Sequence, residues 1–182
     1  MNNFIFKNFV KLNENEKKLI LKWRNSNRVR LKMNQQDVIS LDSHLRWINT
    51  LKERRDYEYY LFYVNNLPAG VFNFANIKNG ECECGSYIGN EDFIGYGILL
   101  NYLGFCHAFD ELSIKRINIT VLKNNKRVYQ MHKTIFKAKD CSNNENKYFL
   151  YINKDDWYYN TNNISEIISG FYSQTLSVDW SN

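Results

Sequence analysis

The sequence predicts one α/β (α+β) domain with a mixed sheet, and three observations carry that prediction. Stretches with period-two alternation are interleaved with stretches whose apolar residues recur every three or four positions, in the order strand, two helices, three strands, helix, strand, helix, strand. No Gly/Ser-rich linker, repeat or low-complexity block divides the 182 residues, and the single proline, Pro68, falls in a turn. With 44% hydrophobic and 16% aromatic residues, the chain has ample material for one packed core.

Residues 4–12, FIFKNFVKL, alternate as a strand. In LNENEKKLILKWRN, Asn13 is placed to cap a helix and Glu16, three residues on, to close a capping box. A second helix starts at Ser40: in SLDSHLRWINTLKERR, Leu41, Leu45, Ile48 and Leu51 form an apolar stripe, with His44 and Trp47 beside it. From Glu58 the period changes, so EYYLFYV, the turn NNLPAG and GVFNFANI read as an aromatic, β-branched hairpin, and ECECGSYIG as a further strand. Next come a long helix over roughly 94–112, a strand at KRINITVLK, a short helix over about 125–135 that carries Val128 and Met131 inward, and a last strand at 147–153. This makes a domain of residues 1–153. Residues 154–182 are expected as a C-terminal extension packed on it, with Ile164, Ile167, Ile168 and Phe171 forming a short apolar helix face.

The net charge is +5, and the basic residues are scattered through KWRNSNRVRLK, KERR and KNNKR, which suits small anionic ligands. No element carries the basic-aromatic stripe of a nucleic-acid binder. No segment approaches the roughly 20 apolar residues of a membrane span, and MNNFIFKNFVKL lacks the apolar run of a signal peptide. A soluble cytoplasmic protein is expected, with its four cysteines as reduced thiols. Cys82 and Cys84 would point the same way from one strand, but Cys106, His107 and Cys141 do not complete a metal-ligand spacing, so no metal is expected.

DFIGYGILL follows a strand and opens a helix, so the amides of residues 94–98 and the helix dipole would converge on an anion, the glycines letting backbone approach closely. It is neither a Walker loop, lacking Gly-Lys-Ser/Thr, nor a dinucleotide fingerprint, lacking a third glycine near the chain start. A G-x-G alone also fits a plain tight turn.

Its place in the chain, after a three-strand meander and about thirty residues before Asn124-Asn125, resembles the GNAT superfamily of acyl-CoA-dependent N-acyltransferases. Within it, the likeness is to the branch that acylates UDP-linked 4-amino-4,6-dideoxy sugars on the way to pseudaminic acid. The likeness runs over most of residues 5–153, in LILKWRN, SHLRWI, CGSYI, GYGILL and VLKNNKRV. It implies a mostly antiparallel central sheet with helices on both faces, acetyl-CoA as co-substrate, a small nucleotide-sugar acceptor and a homodimer as a possible assembly. The coenzyme would be held by Ile94, Gly95, Tyr96, Gly97 and Ile98 at the turn, by Asn125 and Arg127, and by amides near Tyr87, Ile88 and Gly89 where two strands splay. Two departures stand out. Asp92 replaces the family's Arg or Gln, so the diphosphate grip falls to backbone amides, and His132 replaces the tyrosine seven residues after Asn125.

Acyl transfer from a thioester to an amine needs a neutral amine, a polarised carbonyl and a stabilised thiolate. His132 is the candidate acid, efficient only as imidazolium and so giving an activity limb that falls as pH rises, with Tyr129 as its rival. His44 is the candidate base, or else merely borders the apolar stripe. Arg24, Asn25, Met33, Trp47 and Tyr87 are candidates for the acceptor. Other readings keep the donor but acylate a protein N-terminus or a polyamine, or make the chain a non-catalytic acyl-CoA-binding module.

Overall fold

Alternation of large apolar side chains along the central strands builds two cores, one on either side of a single sheet. The computed structural model describes residues 2–171 and 176–181. The strands are β1 (Asn2–Asn8), β2 (Tyr57–Val64), β3 (Leu67–Lys78), β4 (Glu81–Ile88), β5 (Arg116–Leu122), β6 (Lys139–Asn143), β7 (Lys147–Asn153) and β8 (Leu176–Ser181). They lie in the order β6-β7-β5-β4-β3-β2-β1-β8. The β4–β5 and β1–β8 pairs are parallel and the others antiparallel, so the sheet is mixed and mostly antiparallel, as expected.

On one face Phe4, Phe6, Phe62, Phe72, Phe74 and Ile117 pack under α4 (Gly97–Asp110) and α6 (Lys154–Phe171). On the other, Phe9, Leu61 and Val71 pack under α1 (Glu14–Asn25) and α3 (Leu41–Thr50), through Ile20, Trp23 and Ile48. The capping box of α1 is present: Glu16 N donates to Asn13 Oδ1 (3.0 Å) and Asn13 N to a Glu16 carboxylate oxygen (2.7 Å).

Several elements differ from expectation. The hairpin turn is two residues, Asn65 and Asn66, both at positive φ (50° and 66°), so Leu67 and Pro68 already belong to β3, which a bulge at Phe62/Tyr63 accommodates. In α3 the buried stripe is His44, Ile48 and Leu51, while Leu41 is 39% exposed. The helix expected from residue 94 begins as a 3-10 turn, Glu91–Tyr96, non-helical at Phe93, before α4 proper. Short α2 (Asn27–Arg30), edge strand β6 and β8 escaped the periodicity; α5 (Lys126–Thr134) did not.

Beyond residue 153, α6 runs through 18 residues and brings Trp157, Ile164 and Ile168 into the core of the sheet, with Ile167 partly exposed; the Phe171 side chain lies outside the described residues. β8 then adds to β1 in parallel register. Among the described residues no helix is long and apolar enough to cross a membrane.

Candidate active site

β4 and β5 pair only from Glu81 opposite Arg116 to Glu83 opposite Asn118, and then separate. The seam opens into a cleft of about 820 Å³. Its walls come from β4 (Glu83 to Ile88), β5 (Ile119 to Leu122), the start of α4, and α5.

The open seam leaves strand-edge backbone without a partner strand. Gly89 N donates to Ala69 O (2.9 Å), which sets the hydrogen-bonding parity of β4: Tyr87 faces β3, and the backbone groups of Ser86 and Ile88 face the gap. The expectation of a free amide at Gly89 is therefore corrected, and the edge that faces the gap is that of Ser86 and the Ile88 amide. Arg28 of α2 fixes the end of this edge, donating to Ile88 O (2.9 Å) and Gly89 O (2.6 Å).

At the far end Ile94, Gly95, Gly97 and Ile98 line the cleft, whereas the Tyr96 side chain turns inward against Phe4 and Phe93. Neither Gly95 nor Gly97 needs to be glycine for its backbone angle. A Cβ on Gly95 would meet nothing within 4 Å, and one on Gly97 only Ile88 at 3.9 Å. Both open positions border the cleft. α4 has no side-chain cap, and its first turn is tied by Asn101, whose Nδ2 donates to Gly97 O (2.8 Å) while Oδ1 accepts from Ser86 (3.1 Å). Arg28, Lys32 and Arg127 bring positive charge to the lining, and Asn125 starts α5 beside them. Among the described lining residues Glu83 is the one carboxylate.

His132 reaches the cleft from α5. It is 4% exposed, packed on Phe105 and Phe136, and its Nδ1 is buried with no hydrogen-bond partner among the described residues. Burial alone pushes its pKa down to about 4, so the ring is neutral near pH 7. An imidazolium acid at this position is thus corrected to a neutral imidazole. Tyr129 lies outside the cleft: its ring stacks on Tyr148 and its hydroxyl donates to Asp140 (3.1 Å).

His44 is also elsewhere, 3% exposed between α3 and α1, with Nε2 3.1 Å from Lys17 O. Burial lowers its pKa, and with no opening to the cleft it is a core residue, not a base. Of the acceptor candidates, Met33 and Tyr87 line the cleft. Asn25 does not, because both ends of its amide are spent on Ile39, holding the 31–39 segment (Nδ2 to O 2.8 Å; Oδ1 from N 2.9 Å). Trp47 packs on Phe9 and Tyr59 outside the lining. Arg24, outside the lining, donates to Gln35 O (2.6 Å), yet its Nη1 is buried without an acceptor among the described residues; burial lowers its pKa, partly offset by Tyr87.

Sequence reasoning missed Arg28, Lys32, Tyr59, Glu83 and Asn101. Only the alternation in ECECGSY, which puts Glu83 and Tyr87 on one face, could have pointed to any of them.

No family model matches the chain. It is 30% identical to acetyltransferase PseH of Campylobacter jejuni serotype O:2 over 154 residues, 84% of this chain and 89% of that protein. The crystal structure of the Campylobacter jejuni N-acetyltransferase PseH in complex with acetyl coenzyme A superposes with a TM-score of 0.69 at 25% identity, covering 82% of this chain and 98% of that one. Apo FdhC, described as a nucleotide-linked sugar GNAT, superposes with a TM-score of 0.72 at 20% identity over 85% of this chain and 90% of that one.

Proposed function

The chain belongs to the GNAT superfamily of N-acetyltransferases, in the family of acetyltransferase PseH, and from that membership we propose that it moves an acetyl group from acetyl-CoA to the amino group of a nucleotide-linked amino-deoxy sugar. The observation that carries the reading is the opened β4–β5 seam ending at two glycines whose vacant Cβ positions border the cleft.

The residues present fit acetyl-CoA. The uncapped start of α4 at Gly97–Ile98, with Arg127 and Lys32, suits a diphosphate. The backbone edge of Ser86 and Ile88 suits the amides of a pantetheine arm, as an added strand would. Asn125 would contact the coenzyme from α5. The buried, unpartnered Nδ1 of His132 suits a polar atom of a bound ligand. When bound, the coenzyme supplies an activated acyl group and a thiol leaving group of pKa about 8.5, which needs only a hydrogen bond and not a strong acid. His132, as a neutral imidazole, holds an N–H for that purpose in a site from which Phe105 and Phe136 exclude water.

For the acceptor, Met33 and Tyr59 offer apolar and aromatic surface. A polyamine would meet three cationic side chains and one carboxylate in the lining, which argues for an anionic acceptor.

The test is thiol release from acetyl-CoA with UDP-4-amino-4,6-dideoxy sugars, spermidine and a free peptide N-terminus in parallel. Release with the nucleotide sugar alone is expected. Tight acetyl-CoA binding with no release from any amine would instead make the chain a binding module.

A further inference from the structure

One face of α4 carries short residues at helical spacing, Gly97, Asn101, Gly104 and Ala108, and this face is laid on the sheet. A Cβ on Gly104 would fall on the Phe72 ring and one on Gly97 would meet only Ile88, at 3.9 Å, so the row tracks β3 and the end of β4. Asn101 is the single polar side chain in that row and is 5% exposed. Its buried neighbours Leu99, Leu100, Leu103 and Phe105 are apolar. A leucine of nearly the same volume would fill the position, and a buried amide is costly there unless both of its ends are bonded.

Both ends are bonded, and to two different parts of the site. Nδ2 donates back to Gly97 O (2.8 Å) in the uncapped first turn of α4, and Oδ1 accepts from the Ser86 hydroxyl (3.1 Å). Ser86 opposes Phe72 in the β3–β4 register, so its hydroxyl faces α4 while its backbone faces the opened seam. Ser86, Gly97 and Asn101 all line the cleft. Past Glu83, β5 no longer braces β4. The Ser86–Asn101 bond is the one side-chain hydrogen bond between β4 and α4 among the described residues. A single buried amide therefore joins the turn suited to a diphosphate to the strand edge suited to a pantetheine arm.

We infer that Asn101 is a positioning residue that locks the first turn of α4 to Ser86, so that the two ends of the coenzyme site move as one body. The inference rests on the acetyltransferase reading above. A displacement of the α4 turn is passed through the Asn101 amide to Ser86 and to the backbone edge it carries. Binding free energy gathered far from the reacting carbon then serves orientation beside it, which raises kcat and not affinity alone.

Two variants test this. Ser86→Ala removes the hydroxyl donor alone, and the double variant Ser86→Ala/Asn101→Leu removes both partners and leaves no amide end unpaired, so its Tm is expected to stay close to that of the wild type. In steady-state kinetics the wild type is expected to turn over acetyl-CoA with a higher kcat than acetyl-pantetheine, which lacks the diphosphate. That advantage is expected to shrink about tenfold in both variants, the loss falling on the kcat for acetyl-CoA more than on its KM. Without turnover, NMR titration of the wild type with 3′-phospho-ADP, which carries the diphosphate and no pantetheine, is expected to shift the backbone amide signal of Ser86. In the double variant the signal of residue 86 is expected to stay in place. An advantage undiminished in both variants overturns the positioning role, and so does a residue 86 signal that moves as far in the double variant or not at all in the wild type. Either result leaves the acetyltransferase reading standing. A folded wild type that binds neither CoA nor 3′-phospho-ADP overturns the positioning role together with that reading.

Discussion

The Trp180 ring lies face to face with His107, centroids 3.8 Å apart and planes 8° apart, and the other side of the same indole is stacked on Phe6 at 3.8 Å. The final strand is thereby keyed into the sheet between β1 and α4.

Both nitrogens of His107 are buried and without a hydrogen-bond partner among the described residues, and burial holds its pKa down to about 4, Asp110 opposing. In the unfolded chain a histidine titrates near 6.5. Between these values the unfolded state binds more protons, so stability is full above about pH 6.5 and falls as pH drops toward 4. His132, also lowered to about 4, acts in the same direction. Thermal melts are expected to show Tm falling from pH 7 to pH 4.5, with a smaller fall in His107→Phe. An equal fall in that variant would remove His107 from the account.

Gly97→Ala is expected to weaken acetyl-CoA binding about tenfold, ~1.4 kcal/mol by calorimetry, while leaving Tm unchanged, because the new Cβ borders the cleft and meets no protein atom closer than Ile88 at 3.9 Å. Gly104→Ala should do the reverse. Its Cβ would fall on the buried Phe72 ring, costing about 1–3 kcal/mol of stability.

His132→Phe is expected to reduce kcat, and the wild-type profile to show no falling limb between pH 6 and 8, since the imidazole is already neutral there. Tyr129→Phe should retain kcat, its hydroxyl being engaged by Asp140 on the protein surface. A wild-type limb in that window that vanishes in His132→Phe would restore the imidazolium mechanism.

Asn25→Ala deletes both hydrogen bonds to Ile39 and is expected to cost about 1–2 kcal/mol. Amide exchange should rise across residues 31–39, and the KM of the acceptor with it, because Lys32, Met33 and Asn34 on that segment line the cleft.

Much of the fold was legible because its signals are local. The capping box Asn13/Glu16 and the alternation of the aromatic strands need only neighbouring residues. β8 was not, because a six-residue edge strand is defined by its pairing with β1, which lies at the opposite end of the sequence. The site divides in the same way. Gly95 and Gly97 stood out by their spacing in one turn and His132 by the family resemblance, seven residues after Asn125, and all three line the cleft. His44 could not: a histidine and a leucine at helical spacing are equivalent on paper, and only the packing of α3 on α1 decides which is buried. Glu83 emerged only when the seam was seen to end beside it.

The parallel pairing of β8 with β1 also bears on biosynthesis. The outer edge of β1 stays uncovered until Leu176–Ser181 has left the ribosomal exit tunnel. Nascent chains therefore expose the β1 edge while the preceding elements are being made, and docking of β8 moves the open edge outward onto a shorter strand.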